Sequence, residues 1–88
     1  MRMKMILVVD DDALLLESFA ALLSLKYYDV LQASSGEDAV EILNDLHYII
    51  DLVLTDRQMP GGILGESVIR HAKSVRPQIK TILMSGGL

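Results

Sequence analysis

The chain alternates short apolar runs with longer stretches in which apolar residues recur every three or four positions. Met5-Ile6-Leu7-Val8-Val9 is an unbroken β-rich run and predicts a strand buried on both faces. Ala13 to about Leu25 predicts a helix, with Leu15, Phe19, Leu22 and Leu23 on one face. Val30 to Ala33 predicts a short strand. Ser34-Ser35-Gly36-Glu37-Asp38 opens a second helix that runs to about Asn44; Ser35 and Asp38 fit a capping box with Asp in place of Glu. Asp51 to Thr55, entered through Ile49-Ile50, predicts a second buried strand. Glu66 to about Val75 predicts a third helix, closed by Pro77, and Thr81 to Met84 a last strand. Two stretches read as breaks, Met59-Pro60-Gly61-Gly62 and Ser85-Gly86-Gly87-Leu88.

The order β-α-β-α-β-α-β with short connections predicts one α/β domain over residues 1–88, a doubly wound parallel sheet with right-handed crossovers. Periodicity does not choose between the two common strand orders. In either, function sits outside the carboxyl ends of the strands, at the switch point. That rule singles out Asp10, Asp11 and Asp12 after the first strand, Asp56 after the third and Ser85 after the fourth.

Composition narrows the chemistry. Hydrophobic residues make up 51% of the 88 and charged residues 23%, which excludes a disordered chain. The net charge of −4 excludes a nucleic-acid module built on bulk positive charge. Zero cysteines exclude disulfides, thiolate metal sites and a Cys nucleophile, and fit a reducing compartment. The apolar run that Asp10 ends is too short for a signal peptide or a membrane span, so a cytoplasmic location is expected. Clustered carboxylates repel one another unless a cation joins them, and a hard divalent ion with oxygen ligands answers that need. The simpler alternative is helix capping, which suits Asp12, whereas Asp10 and Asp11 exceed what a cap requires.

Three segments carry a resemblance. Ile6-Leu7-Val8-Val9-Asp10-Asp11-Asp12, then Leu52-Val53-Leu54-Thr55-Asp56-Arg57-Gln58-Met59-Pro60-Gly61, then Ile82-Leu83-Met84-Ser85-Gly86 resemble the receiver domain of two-component response regulators. The resemblance implies a flavodoxin-like sheet of strand order 2-1-3-4 and a phosphoacceptor signalling domain without turnover of external substrate. It implies that Asp56 is the phosphoacceptor, that Asp11 binds Mg²⁺ directly and that Asp10 helps hold it. By the same resemblance the backbone carbonyl of Gln58 would complete that coordination, and Ser85 would hydrogen-bond the phosphoryl group. The implied partners are a sensor histidine kinase or phosphotransfer protein and an output domain or effector.

Measured against the family pattern, the chain is expected to lack a fifth strand, two last helices and a phosphoryl-binding Lys, a role Lys80 cannot fill from before the last strand. An uncovered last strand is then expected to self-associate. Tyr27 stands where the family often has Gly, which is expected to strain that helix end. Two other functions compete. A haloacid-dehalogenase-like phosphohydrolase would use Asp10 as nucleophile and Asp12 as general acid, and a non-catalytic interaction fragment would use neither. Arg70, Lys73 and Arg76 read as a solvated helix face, and neither His47 nor His71 has ligand-spaced companions. Gly61, Gly62 and Gly65 do not form a nucleotide-binding motif.

Overall fold

A computed structural model describes residues 2–59 and 62–84. The elements are β1 (Met5–Val9), α1 (Ala13–Leu25), β2 (Asp29–Ala33), α2 (Gly36–Asn44), β3 (Leu52–Asp56), α3 (Gly65–Val75) and β4 (Lys80–Met84). All strand pairs are parallel, in the order β2-β1-β3-β4. The chain crosses from β2 over β1 to β3, so the switch point lies between β1 and β3.

Alternation along β1 and β3 decides the two faces of the sheet. Leu7, Val9 and Val53 point to one side, where Ala39, Leu43, Val68 and Ala72 of α2 and α3 complete the larger core. Ile6 and Val8 point to the other, where Leu16 of α1 joins them. The buried stripe of α1 is therefore Leu16 with Phe19 and Leu23, not the expected stripe through Leu15 and Leu22, which are 45% and 61% exposed. The run Leu14-Leu15-Leu16 offers more than one apolar stripe, and the sheet selects among them. α1 covers β1 and β2, while Ile82 on β4 stays 49% exposed.

Boundaries move by one residue at five places: β2 begins at Asp29, β3 begins at Leu52 and ends at Asp56, α3 begins at Gly65 and β4 at Lys80. Asp51 falls outside β3 and instead ties down the amino terminus. Its carboxylate takes both Arg2 Nη atoms at 2.9 and 3.1 Å and the Met5 N–H at 2.8 Å. Arg2 pulls the Asp51 pKa down to about 2.

The end of α1 carries the strain its sequence suggests. Tyr28 N–H bonds Leu23 O and Tyr27 N–H bonds Ser24 O, the paired closure that needs a left-handed residue between helix and exit. Tyr27 fills that position with φ 66°. Arg76 departs from expectation. It does not lie on a solvated face but turns back to the carboxyl end of α2, donating to Leu43 O, Asp45 O and Tyr48 O. The last carbonyls of a helix lack internal partners, and this guanidinium supplies them.

Candidate functional site

The triplet Asp10-Asp11-Asp12 divides into three environments because β1 ends and α1 begins within it. Asp10 is still tied to the sheet: its N–H donates to Ala33 O at 3.1 Å, and it is buried beneath the rim at 3% exposure. Its Oδ1 accepts the Asp12 N–H at 2.9 Å. Asp11 faces solvent. Asp12 caps α1, accepting the N–H groups of Leu14 and Leu15 at 2.9 and 3.3 Å. The helix-capping role expected of Asp12 is thus its role, and its carboxylate is engaged there rather than free as a general acid.

Asp56 reaches the same rim from β3. Val9 stands beside Thr55 in register, so the residues that follow, Asp10 and Asp56, leave neighbouring strands at one level. Behind Asp56 the chain is held closely. Gly65 N–H donates to Arg57 O at 3.1 Å. A side chain on Gly65 would collide with the Asp56 carbonyl and stand 2.9 Å from Leu83 Cδ1, so this approach requires glycine. Met59 is buried, pinning the loop into the core, while Gln58 stays exposed. Among the described residues no backbone N–H occupies the Gln58 carbonyl. Arg57 turns aside to Glu66 at 2.9 Å.

Carboxylate oxygens of Asp10, Asp11 and Asp56 all lie within 4.8 Å of one another. Burial pushes the Asp10 carboxyl up, the Asp12 N–H pulls it down, and the charges of Asp56, Asp11 and Asp12 add to the upward push. A carboxylate that is both buried and crowded by like charge has an unmet need for a cation. The donor set is all oxygen and converges from two strand ends, which suits Mg²⁺ or a similarly hard ion. Ser85 lies outside the described residues.

Other features lie elsewhere. A groove of about 940 Å³ lined by Ile6, Leu23, Tyr28, Leu52, Lys4 and Lys80 opens at the opposite end of the strands. It shares no residue with the carboxylate rim. His47 binds Asp45 at 2.9 Å and His71 binds Asn44 at 2.7 Å, so each has a local polar partner. Among the described residues no helix is long and apolar enough to cross a membrane.

Three carboxylates converging at the switch point of a parallel α/β sheet form an all-oxygen, cation-suited site placed where this fold class binds its ligands. The sequence profile described as "Response regulator receiver domain" matches residues 6–87, and the chain belongs to that family. It is 37% identical over 81 residues to the sensor kinase CckA of Brucella abortus, covering 92% of this chain and 8% of that protein. Its fold matches a response regulator receiver protein of Sinorhizobium medicae at TM-score 0.90 and 32% identity, over 99% of this chain and 69% of that one. It matches TrrA of Thermotoga maritima, solved in complex with Mg(2+)-BeF, at TM-score 0.84 and 33% identity, over 97% and 71% of the two chains. The chain is thus a phosphoacceptor signalling domain by family, with the four-stranded 2-1-3-4 sheet its resemblance implied.

Proposed function

We propose that Asp56 accepts a phosphoryl group in a Mg²⁺-dependent transfer from a phosphohistidine, with a small acyl phosphate able to serve as donor. In the transfer the P–N bond of the donor breaks and its electron pair returns to the imidazole, while an Asp56 carboxylate oxygen forms the new P–O bond. The observation that carries this reading is the convergence of Asp10, Asp11 and Asp56 oxygens within 4.8 Å at the ends of β1 and β3.

Asp10, Asp11, Asp56 and the Gln58 carbonyl would hold the ion. When bound, Mg²⁺ supplies the positive charge that screens an attacking carboxylate from the incoming phosphoryl oxygens. The chain's own residues do the positioning. Asp12 holds the start of α1 and, through its N–H, the rotamer of Asp10. Gly65 and buried Met59 fix the segment on which Asp56 and Gln58 ride. Ser85 would donate a hydrogen bond to the phosphoryl group. TrrA, a similar protein solved in complex with Mg(2+)-BeF, supports a Mg²⁺-dependent reading.

The proposed partners are a histidine kinase or phosphotransfer protein as donor and an output domain or effector as reader, in a cytoplasmic setting; CckA, a sensor kinase, is one relative that carries a similar segment. Self-association through β4 is part of the proposal. Lys80 N–H and Met84 O bond toward β3, so the alternation of a parallel ladder turns the N–H and C=O groups of Thr81 and Leu83 outward, where no described strand pairs with them. The phosphohydrolase alternative is less favoured, because the Asp12 side chain it needs as general acid caps α1, accepting the Leu14 and Leu15 N–H groups.

The test is exposure of the chain to acetyl phosphate with and without Mg²⁺. One phosphoryl group gained on Asp56, and only with the ion, is expected. Turnover of a generic phosphate ester lost in Asp10→Asn would favour the phosphohydrolase, and no labelling would favour the inert fragment.

A further inference from the structure

The first turn of α2 meets the loop after Asp56 more closely than two ordinary residues allow. A Cβ on Gly36 would stand 2.5 Å from Ile63 O and 2.6 Å from Ile63 Cβ. Beside it the Glu37 carboxylate lies over Gly62, where a Cβ would stand 2.7 and 2.9 Å from its two oxygens. Helix capping does not require either contact, because Ser35 Oγ already accepts the Asp38 N–H at 3.1 Å.

These contacts close a ring of backbone around the carboxylate rim. Asp10 N–H is bonded to Ala33 O at the end of β2. Ser35 starts α2, and Gly36 and Glu37 reach Gly62 and Ile63. Ile63 packs on the larger core, and Gly65 seats against the Asp56 carbonyl. The strand end carrying Asp10 and the strand end carrying Asp56 are therefore braced to each other through α2 as well as through the sheet.

We propose that Gly36 and Glu37 are positioning residues that set the loop bearing Asp56 and Gln58 relative to Asp10, so that divalent-cation binding at the rim and the packing of the α2 amino terminus are coupled. The proposal rests on the Mg²⁺ reading above. Mg²⁺ demands near-ideal geometry with oxygens at about 2.1 Å, so a displacement of a few tenths of an ångström in one ligand strand is felt in affinity. Linkage makes the effect reciprocal: what α2 does to the ion, the ion does to α2. Gly36→Ala must push Ile63 backbone away. Gly62→Ala meets only the ends of a flexible carboxylate, so its effect is smaller.

The test is a Mg²⁺ titration of the 88-residue chain followed by backbone amide resonances, repeated on Gly36→Ala and Glu37→Ala. In the parent, the amides of Gly36, Glu37 and Ile63 are expected to shift with the same midpoint as those of Asp11 and Asp56. Gly36→Ala is expected to weaken Mg²⁺ binding roughly tenfold, the usual scale for loss of an outer-shell support, while still melting cooperatively. Glu37→Ala leaves the helix backbone intact and should weaken binding by less than Gly36→Ala. If Gly36→Ala does not fold, the parent titration and Glu37→Ala decide. Shifts at Asp11 and Asp56 without shifts at Gly36 and Glu37, or unchanged affinity in the folded variants, overturn the coupling alone. No Mg²⁺-dependent shift at Asp11 and Asp56 overturns the Mg²⁺ reading and the coupling with it.

Discussion

Asp10 Oδ1 accepts the backbone N–H of Asp12 at 2.9 Å, leaving a residue only 3% exposed to face the carboxylates of Asp11 and Asp56 with that single donor. Burial and neighbouring like charges raise the Asp10 carboxyl, a crowding that a bound cation would relieve.

This has a pH signature. The Asp10 carboxyl is raised, chiefly by burial, above its value in the unfolded chain. The folded state therefore takes up a proton more readily than the unfolded one. In EDTA, the Asp10 contribution to stability, read as the difference between the parent and Asp10→Asn, should become more favourable as pH falls through the raised value and level off below the ordinary Asp value of about 3.9, while Asp51, whose carboxyl is lowered, contributes in the opposite sense. Asp10→Asn keeps the acceptor for the Asp12 N–H and removes the charge, so its melting temperature in EDTA at pH 7 should exceed the parent's by a few degrees. Mg²⁺ should stabilise the parent more than the variant. A lower melting temperature for Asp10→Asn in EDTA would mean the crowding is already compensated.

Tyr27 holds φ 66° in the closing turn of α1 with its side chain 81% exposed. The left-handed conformation costs a side-chain-bearing residue roughly 1–2 kcal/mol, part of which glycine returns through its freer unfolded state. Tyr27→Gly should stabilise by about 0.5–1 kcal/mol, read as a higher urea midpoint at unchanged slope. Destabilisation would show that the Tyr27 ring packs in solution.

Arg76 donates to three carbonyls, Leu43, Asp45 and Tyr48, at 2.6–3.2 Å. Lysine carries the charge without the planar fork. Arg76→Lys should cost about 2–3 kcal/mol, the scale of charge-assisted bonds left unmade, and chemical denaturation measures it. A loss below about 0.5 kcal/mol would place Arg76 back among solvated surface residues.

Much of this was legible in the sequence because it rests on local pattern. The unbroken run Met5–Val9 gave β1 with its bounds, and the length of α1 followed from its apolar repeat. Asp10, Asp11 and Asp56 were legible as strand-end carboxylates, and the structure brings all three together. The capping box was half right: Ser35 receives the Asp38 N–H, but the Asp38 carboxylate takes the Ser34 hydroxyl at 3.2 Å instead of closing the box. What escaped was carried by backbone. Arg76 sought carbonyls about thirty residues away, and carbonyls have no sequence signature. Gly36 mattered for what it lets Ile63 approach; the sequence clue was a glycine inside a helix start that Ser35 already caps.

Among the described residues no strand pairs with the outward backbone groups of Thr81 and Leu83, along the edge of β4 beside exposed Ile82. The 88-residue chain should self-associate at micromolar concentration in sedimentation velocity, and Thr81→Pro, which removes an outward donor, should reduce it. A single monomeric species at that concentration would show the edge to be protected.

The central claim is that Asp56, beside Asp10 and Asp11, is a Mg²⁺-dependent phosphoacceptor. Intact mass after exposure to acetyl phosphate tests it most directly. The parent with Mg²⁺ should gain one phosphoryl group, and neither the parent in EDTA nor Asp56→Asn with Mg²⁺ should gain any. Equal labelling of Asp56→Asn, or labelling indifferent to Mg²⁺, would contradict the account.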